Sequence, residues 1–350
     1  MKTWSTAGML LAAAVLMFVL IGCEGDQGPA GPPGTASCLN CHTDQFDAEL
    51  ATFLKPIQQE FSFSQHFLGD TYERNTNPCS RCHTNEGFQH YVNTGEVEAV
   101  PTATRIHCWT CHAPHTNETF EVRVTAPVTF DVGGVYDKGP SNTCVTCHQA
   151  REASPAIADN VTLASNQRRW GPHHSTQGNI LAGLGAYEFN GPYSTNAAHN
   201  GIANGCVGCH MAEPMSPELG GHSFWVANED GKDVNINGCD CHTTWTVPDT
   251  AYARVEETKE EFLDKLQSLG EDMKTLGWMD PNAGNGYVNP GTYSADQLGA
   301  MWNWQMLKED LSGSVHNVVF ANAVLEATQA FVTGEMAARS LAQQSTKAQH

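Results

Sequence analysis

Five pentapeptides, CLNCH, CSRCH, CWTCH, CVTCH and CVGCH, carry the cysteine pairs Cys38/Cys41, Cys79/Cys82, Cys108/Cys111, Cys144/Cys147 and Cys206/Cys209. Each ends in a histidine: His42, His83, His112, His148 and His210. Histidine makes up 16 of 350 residues, so its arrival five times directly behind a cysteine pair is not coincidence. Two thiols three positions apart can add to the two vinyl groups of one porphyrin while the adjacent imidazole takes one face of its iron. The pattern therefore reads as covalent haem c attachment. Zinc would join two Cys-x-x-Cys pairs at one tetrahedral site and has no use for a histidine after each. A thioredoxin-type redox pair occurs once per domain in a βαβ setting, which this chain lacks.

A sixth site is written one residue short, as Cys239-Asp240-Cys241-His242 within NGCDCHTTW. It keeps both thiols and the imidazole that follows them. It also falls 32 residues after Cys209, inside the range of 29 to 62 that separates the other second cysteines. The expectation is a sixth haem c, with a strained local disulfide or a pair of free thiols as the alternative.

Iron in haem has two axial positions, and whatever fills the second separates a carrier from a catalyst. Ten histidines remain after six are assigned to the motifs. His350 ends a polar tail, His90 sits in the helix-like NEGFQHYV, and His107 is crowded by Cys108. Seven candidates for the distal position are left: His66, His115, His173, His174, His199, His222 and His316. Each lies beside Gly, Pro, Asn or Ser, where a loop or helix start can aim the side chain. Neutral imidazole is a good iron ligand, and six irons need partners.

The segments FSFSQHFLGD, CWTCHAPH, GPHHSTQGNILAGLGAYEF, AHNG, GGHSF and EDLSGSVHN resemble recurring segments of the multihaem c-type cytochromes of metal-respiring bacteria. That family includes outer-membrane cytochromes and others that polymerise into haem-lined filaments. The resemblance runs over roughly residues 38–325 and implies that His66, His115, His173, His174, His199, His222 and His316 are distal haem ligands. Two departures stand out. One is the shortened Cys239 motif, and the other is a glycine displaced by one place ahead of His316.

Positioning six such groups falls to residues 38–242, about 34 residues per motif, too few to build an apolar core around each. The expected fold is thus mostly irregular and haem-packed, with little β structure and an α-helical C-terminal region. Residues 119–132, TFEVRVTAPVTFDV, alternate enough for a hairpin. Beyond Pro248 cysteines cease and helical periodicity begins. Val255, Phe262, Leu266, Leu269, Met273 and Leu276 predict one long amphipathic helix ending near Gly277. Ser294 with Gln297 makes a capping box for a second helix running to about Leu311, and a third is expected from about Val315 to Gln343. These helices are read as a clamp on the array, with Trp302 and Trp304 filling apolar gaps and His316 at a helix start.

The expected domains are a signal at 1–22, a linker at 23–36, the multihaem region at 37–248 and the helical region at 249–350. Lys2, the apolar AGMLLAAAVLMFVLI and Gly22 ahead of Cys23 have the form of a lipoprotein signal, too short to span a bilayer. Cys23 is the only one of 13 cysteines outside the six pairs, which marks it for lipidation and membrane anchoring. GDQGPAGPPG then reads as a hydrated, collagen-like stalk. With 18 basic against 38 acidic residues, nucleic acid is excluded as a partner. The expected partners are other redox proteins or extracellular electron acceptors, with self-assembly into filaments as a further reading. The function expected is electron transport, with no catalytic residue assigned. A reductase of nitrite or hydroxylamine type is the enzymatic alternative and would need one iron with an open position.

Overall fold

The computed structural model describes residues 48–347, apart from 114–119, 196, 229–232, 240, 243, 245–247 and 283–286. The signal segment, Cys23, the stalk, the first motif (Cys38, Cys41 and His42), His115 and His350 lie outside the described residues. The chain divides into two units, Met1–Thr52 and Phe53–His350, and the described residues fall in the second and in the helix leading into it. Helix α1 (Ala48–Ser62) is followed by a row of short helices: α2 (Gln65–Leu68), α3 (Ser80–His83), α4 (Asn85–Thr94) and α5 (Cys108–Cys111). A two-residue hairpin, β1 (Val128–Thr129) against β2 (Val135–Tyr136), precedes α6 (Asn142–Val145). Strand β3 (Val161–Leu163), α7 (Gln177–Ala182), α8 (Ala197–Asn200) and α9 (Gly205–His210) complete the motif-bearing part. Then come the long helix α10 (Pro248–Leu276), β4 (Gly291–Tyr293), α11 (Ala295–Glu309) and α12 (Val318–Lys347).

The C-terminal helices follow from their sequences. α10 buries Phe262, Leu266, Leu269 and Met273, whose three- and four-residue spacing makes one stripe, and stops where Gly277 takes φ 84°. Ser294 Oγ accepts from Gln297 N while Gln297 Oε1 accepts from Ser294 N, the reciprocal box that starts α11. α11 is buried over most of its circumference, including Leu298, Met301, Trp302, Trp304 and Leu307. The third helix starts at Val318, not Val315, so His316 lies in the turn that enters α12. No helix among the described residues is long and apolar enough to cross a membrane.

The main apolar core is not confined to the C-terminal hundred residues. Ala150, Leu163, Trp170 and Ile180 from the motif-bearing part are buried in the same cluster as α10, α11 and α12. Strand β3 pairs antiparallel with β4 (Val161 with Tyr293, Leu163 with Gly291), crossing the expected boundary at residue 248. Trp302 Nε1 donates to Gly185 O (2.9 Å) and Trp304 Nε1 to Leu266 O (2.8 Å), so both indoles are buried with their polar edge satisfied. Asn303 clasps Tyr187 through both its backbone N–H (2.7 Å) and carbonyl (2.9 Å). Elsewhere only a small second cluster forms: Phe130, Tyr136, Val145 and Leu181. The hairpin lies later than the expected 119–132. It turns at Gly133 and Gly134, both at φ 89°, a left-handed conformation that glycine adopts without steric cost.

Candidate haem centres

Each described Cys-x-x-Cys-His motif occupies one tight helical turn. The His83, His112 and His148 N–H groups donate to the carbonyls of Cys79, Cys108 and Cys144, at 3.3, 2.9 and 3.0 Å. Positions i and i+3 of such a turn share a side, which sets both thiols beside each other with the imidazole next to them. None of the ten described motif cysteines forms a disulfide. The shortened motif keeps the same closure by a smaller ring: His242 N donates to Cys239 O at 2.7 Å, over three residues instead of four. Losing one residue therefore tightens the turn and leaves its end-to-end bond in place.

The histidine rings come in twos. His66 faces His148 (6.1 Å between ring centres), His83 faces His173 (6.5 Å), and His112 faces His222 (6.3 Å). His199 faces His242 and His210 faces His316, both at 6.1 Å. Each of these five pairs joins one motif histidine to one of the distal candidates, and His173 also packs against His174, 4.7 Å between ring centres. Two imidazoles bound to opposite faces of one iron, at about 2.0 Å per Fe–N bond and about 1.1 Å from nitrogen to ring centre, would stand ~6.2 Å apart. The five observed spacings match that value. At these spacings the rings meet edge-on or tilted rather than stacked face to face, and they lie too far apart for a direct hydrogen bond between them.

Second contacts turn the rings. His148 Nδ1 meets Gln177 Oε1 (3.2 Å) and His83 Nδ1 meets Thr71 Oγ1 (3.0 Å). His199 Nδ1 donates to Val315 O (2.6 Å) and His210 Nδ1 to Phe224 O (2.8 Å). His316 Nδ1 lies 2.6 Å from Asp310 Oδ1, and Asp310 is only 2% exposed. His222 is held from its backbone, where its N–H donates to Glu60 Oε2 at 2.9 Å. Engaging Nδ1 leaves Nε2 to face the gap, the arrangement by which iron-binding histidines are oriented. Burial lowers the imidazole pKa of His66, His173 and His210 to about 4, so these rings stand neutral, the form that binds metal. Burial pulls His316 the same way, but the Asp310 carboxylate outweighs it and raises that pKa.

The C-terminal region supplies several of these positions. Thr176 Oγ1 donates to Met306 O (2.7 Å) and Asn317 Nδ2 to Leu181 O (3.2 Å), fixing the segment of His173 and the turn of His316 on the helical core. Arg81, inside the second motif, makes a two-pronged ion pair with Asp131 (3.1 Å for each contact) and lies over the Tyr91 ring, tying that motif to the hairpin. His174, in contrast, packs its ring against His173 (4.7 Å between ring centres) and is not paired across a gap with a motif histidine among the described residues. Its Nδ1 lies 2.6 Å from Glu309 Oε2 on an exposed side chain. His107 accepts from Trp109 N (3.2 Å), capping α5, and His90 on α4 lies 3.7 Å from Glu98. Of the seven distal candidates, five stand opposite motif histidines, His174 does not, and His115 is outside the described residues. Sequence reasoning missed Asp310, Glu60, Gln177, Thr71 and Phe224. Asp310, Gln177 and Phe224 lie inside the resembling segments, but their residue types do not say which ring they hold, and Glu60 and Thr71 act from other segments.

A row of paired histidines beside paired thiols, carried on short helices and loops, is an arrangement that haem c would fit, and the chain is similar to multihaem c-type cytochromes. No protein-family model matches the chain. The C-type polyheme cytochromes OmcB and OmcC of Geobacter sulfurreducens are each 25% identical to it, over 74% and 71% of this chain. Those matches cover 44% and 41% of the relatives, so the chain spans less than half the length of the curated proteins it resembles. The crystal structure of the outer cell wall cytochrome OcwA shares the fold, with a TM-score of 0.52 at 19% identity over 78% of this chain and 49% of that one.

Proposed function

We propose that this protein carries six haem c groups and conducts electrons among them without catalysing a bond-making reaction. The observation that carries this reading is the spacing of the five histidine pairs, which leaves room for one iron in each and an imidazole on both of its faces. In this reading Cys79/Cys82, Cys108/Cys111, Cys144/Cys147, Cys206/Cys209 and Cys239/Cys241 hold five groups by thioether bonds. A sixth sits at Cys38/Cys41, with His42 as its motif ligand. Haem supplies a one-electron ferric/ferrous couple. The chain's part is to hold both axial imidazoles in each oxidation state, so that little moves when an electron arrives. In the five described pairs, two strong ligands per iron would leave no position for a substrate, which weighs against the reductase alternative at those sites.

The same proposal places the protein outside the cytoplasm, tethered at Cys23 and raised by the Gly/Pro stalk, with redox proteins or extracellular acceptors as its partners. The test is low-temperature electron paramagnetic resonance on the fully oxidised protein. Low-spin signals alone are expected. A high-spin ferric signal of one per molecule would mean an open iron and would turn the reading towards a reductase.

A further inference from the structure

The motif cysteines and their histidines are not evenly separated along the molecule. Cys147, of the fourth motif, reaches the second: its Sγ lies 3.7 Å from Arg81 O, one residue before Cys82. Val145, of the same motif, packs in one small cluster with Tyr136 and with Cys206 of the fifth, and Tyr136 Oη lies 3.6 Å from Cys206 Sγ. The two motif turns are further tied through Ser141, which receives Val207 N (3.0 Å) and donates to Asn204 O. His66, opposite His148, packs its ring on Phe224 at 5.1 Å, and the other neighbour of that phenyl ring is His222 at 6.0 Å, the partner of third-motif His112. Phe224 can serve both because it adopts φ 59° at the end of the turn Gly221–Ser223, which sends its ring one way and its carbonyl, the acceptor for His210, another. The sixth motif touches the fifth: Cys209 Sγ lies 3.8 Å from Gly238 O, next to Cys239.

We infer that the site formed by Cys144, Cys147, His148 and His66 is a three-way junction of the array, joining the second, third and fifth sites, with the sixth reached through the fifth. The inference rests on the haem reading above and goes beyond it by assigning the order of the sites. It concerns the chain's own contacts: Cys147 abuts the backbone of the second motif, Val145 and Ser141 meet the fifth, and His66 shares a phenyl ring with His222 of the third. A simple linear wire in sequence order would instead put contacts between consecutive motifs alone. The observed second-to-fourth contact between Arg81 O and Cys147 Sγ skips one motif.

An electron placed on one site makes its neighbours harder to reduce, and the effect falls with separation. Replacing a distal histidine by methionine raises the potential of that one haem, so it fills first and its neighbours titrate beside a reduced site. The experiment is a redox titration followed by electron paramagnetic resonance, in which each low-spin ferric signal disappears at its own potential. It is run on the wild type and on three separate variants, His173→Met, His222→Met and His316→Met. Each variant is expected to shift at least one unmutated signal downward, and one and the same signal is expected to move in all three. His66→Met, if it accumulates, moves the signals of three sites at once. Three variants with no moved signal in common would overturn the junction. Intact mass on the same samples separates the two ideas: too few haems would defeat the haem reading itself, whereas a full haem count with no shared signal defeats only the junction.

Discussion

Asp310 offers a quantitative test of how the chain tunes one site. Its carboxylate is 2% exposed and lies 2.6 Å from His316 Nδ1, while the His316 and His210 rings stand 6.1 Å apart. Taking about 1.1 Å from ring centre to Nδ1, these values put the carboxylate oxygen roughly 7 Å from the midpoint between the rings, where the iron would lie. A unit negative charge at that distance favours the ferric state by about 2.4 kcal/mol at an effective dielectric of ~20. For one electron that is about 100 mV, at ~59 mV per tenfold change in equilibrium constant. The variant Asp310→Asn keeps the shape and an oxygen that can accept from Nδ1–H but removes the charge. Potentiometric titration should find one haem raised by about 50–100 mV, the lower figure allowing for residual screening. The control is Glu309→Gln, one residue away, whose carboxylate meets the exposed His174. It should move no haem by as much. If every potential in Asp310→Asn stays within about 20 mV of wild type, the carboxylate does not act on an iron between His210 and His316, and the reasoning fails.

The same geometry gives further expected outcomes. Cys239→Ala should yield protein one haem lighter than wild type by intact mass, with the other sites loaded; an unchanged haem count would show that the shortened motif does not hold one. His173→Ala removes the ring opposite His83 and should convert one low-spin signal to high-spin without lowering the haem count, which the absorption spectrum and resonance signal check together. Trp304→Ala deletes a buried indole and its bond to Leu266 O, and should cost about 3–5 kcal/mol in unfolding of the helical core, read by chemical denaturation with far-ultraviolet dichroism.

Sequence and structure part along a physical line. Thiol and imidazole spacing within one helical turn is a local matter, so the motifs could be read directly, including Cys239-Asp240-Cys241-His242, where a three-residue turn still returns His242 N to Cys239 O. Periodicity and capping are equally local, and they located α10 and α11 closely through the Phe262 to Leu276 stripe and the Ser294 box. The start of α12 was missed by three residues because Ser314 at φ 78° and Asn317, whose Oδ1 accepts from Phe320 N, delay the helix. The expected division at residue 248 did not foresee how far the motif-bearing part shares the helical core. A strand of three residues such as Val161–Leu163 carries no signal until Gly291–Tyr293 pairs with it.

Chain composition and local spacing by themselves determined what chemistry this protein is equipped for: thiols in pairs, a histidine behind each, more histidines than the motifs consume, and a helical region to brace them. Which histidine faces which was decided only by tertiary structure. His66 meets His148 across 82 positions and His210 meets His316 across 106, and no local pattern encodes such distances. The physical reason is that a pair is closed by contacts made elsewhere. Glu60 holds the backbone of His222, Val315 O turns His199, and Asp310 turns His316, so each pair exists only once the surrounding chain has packed.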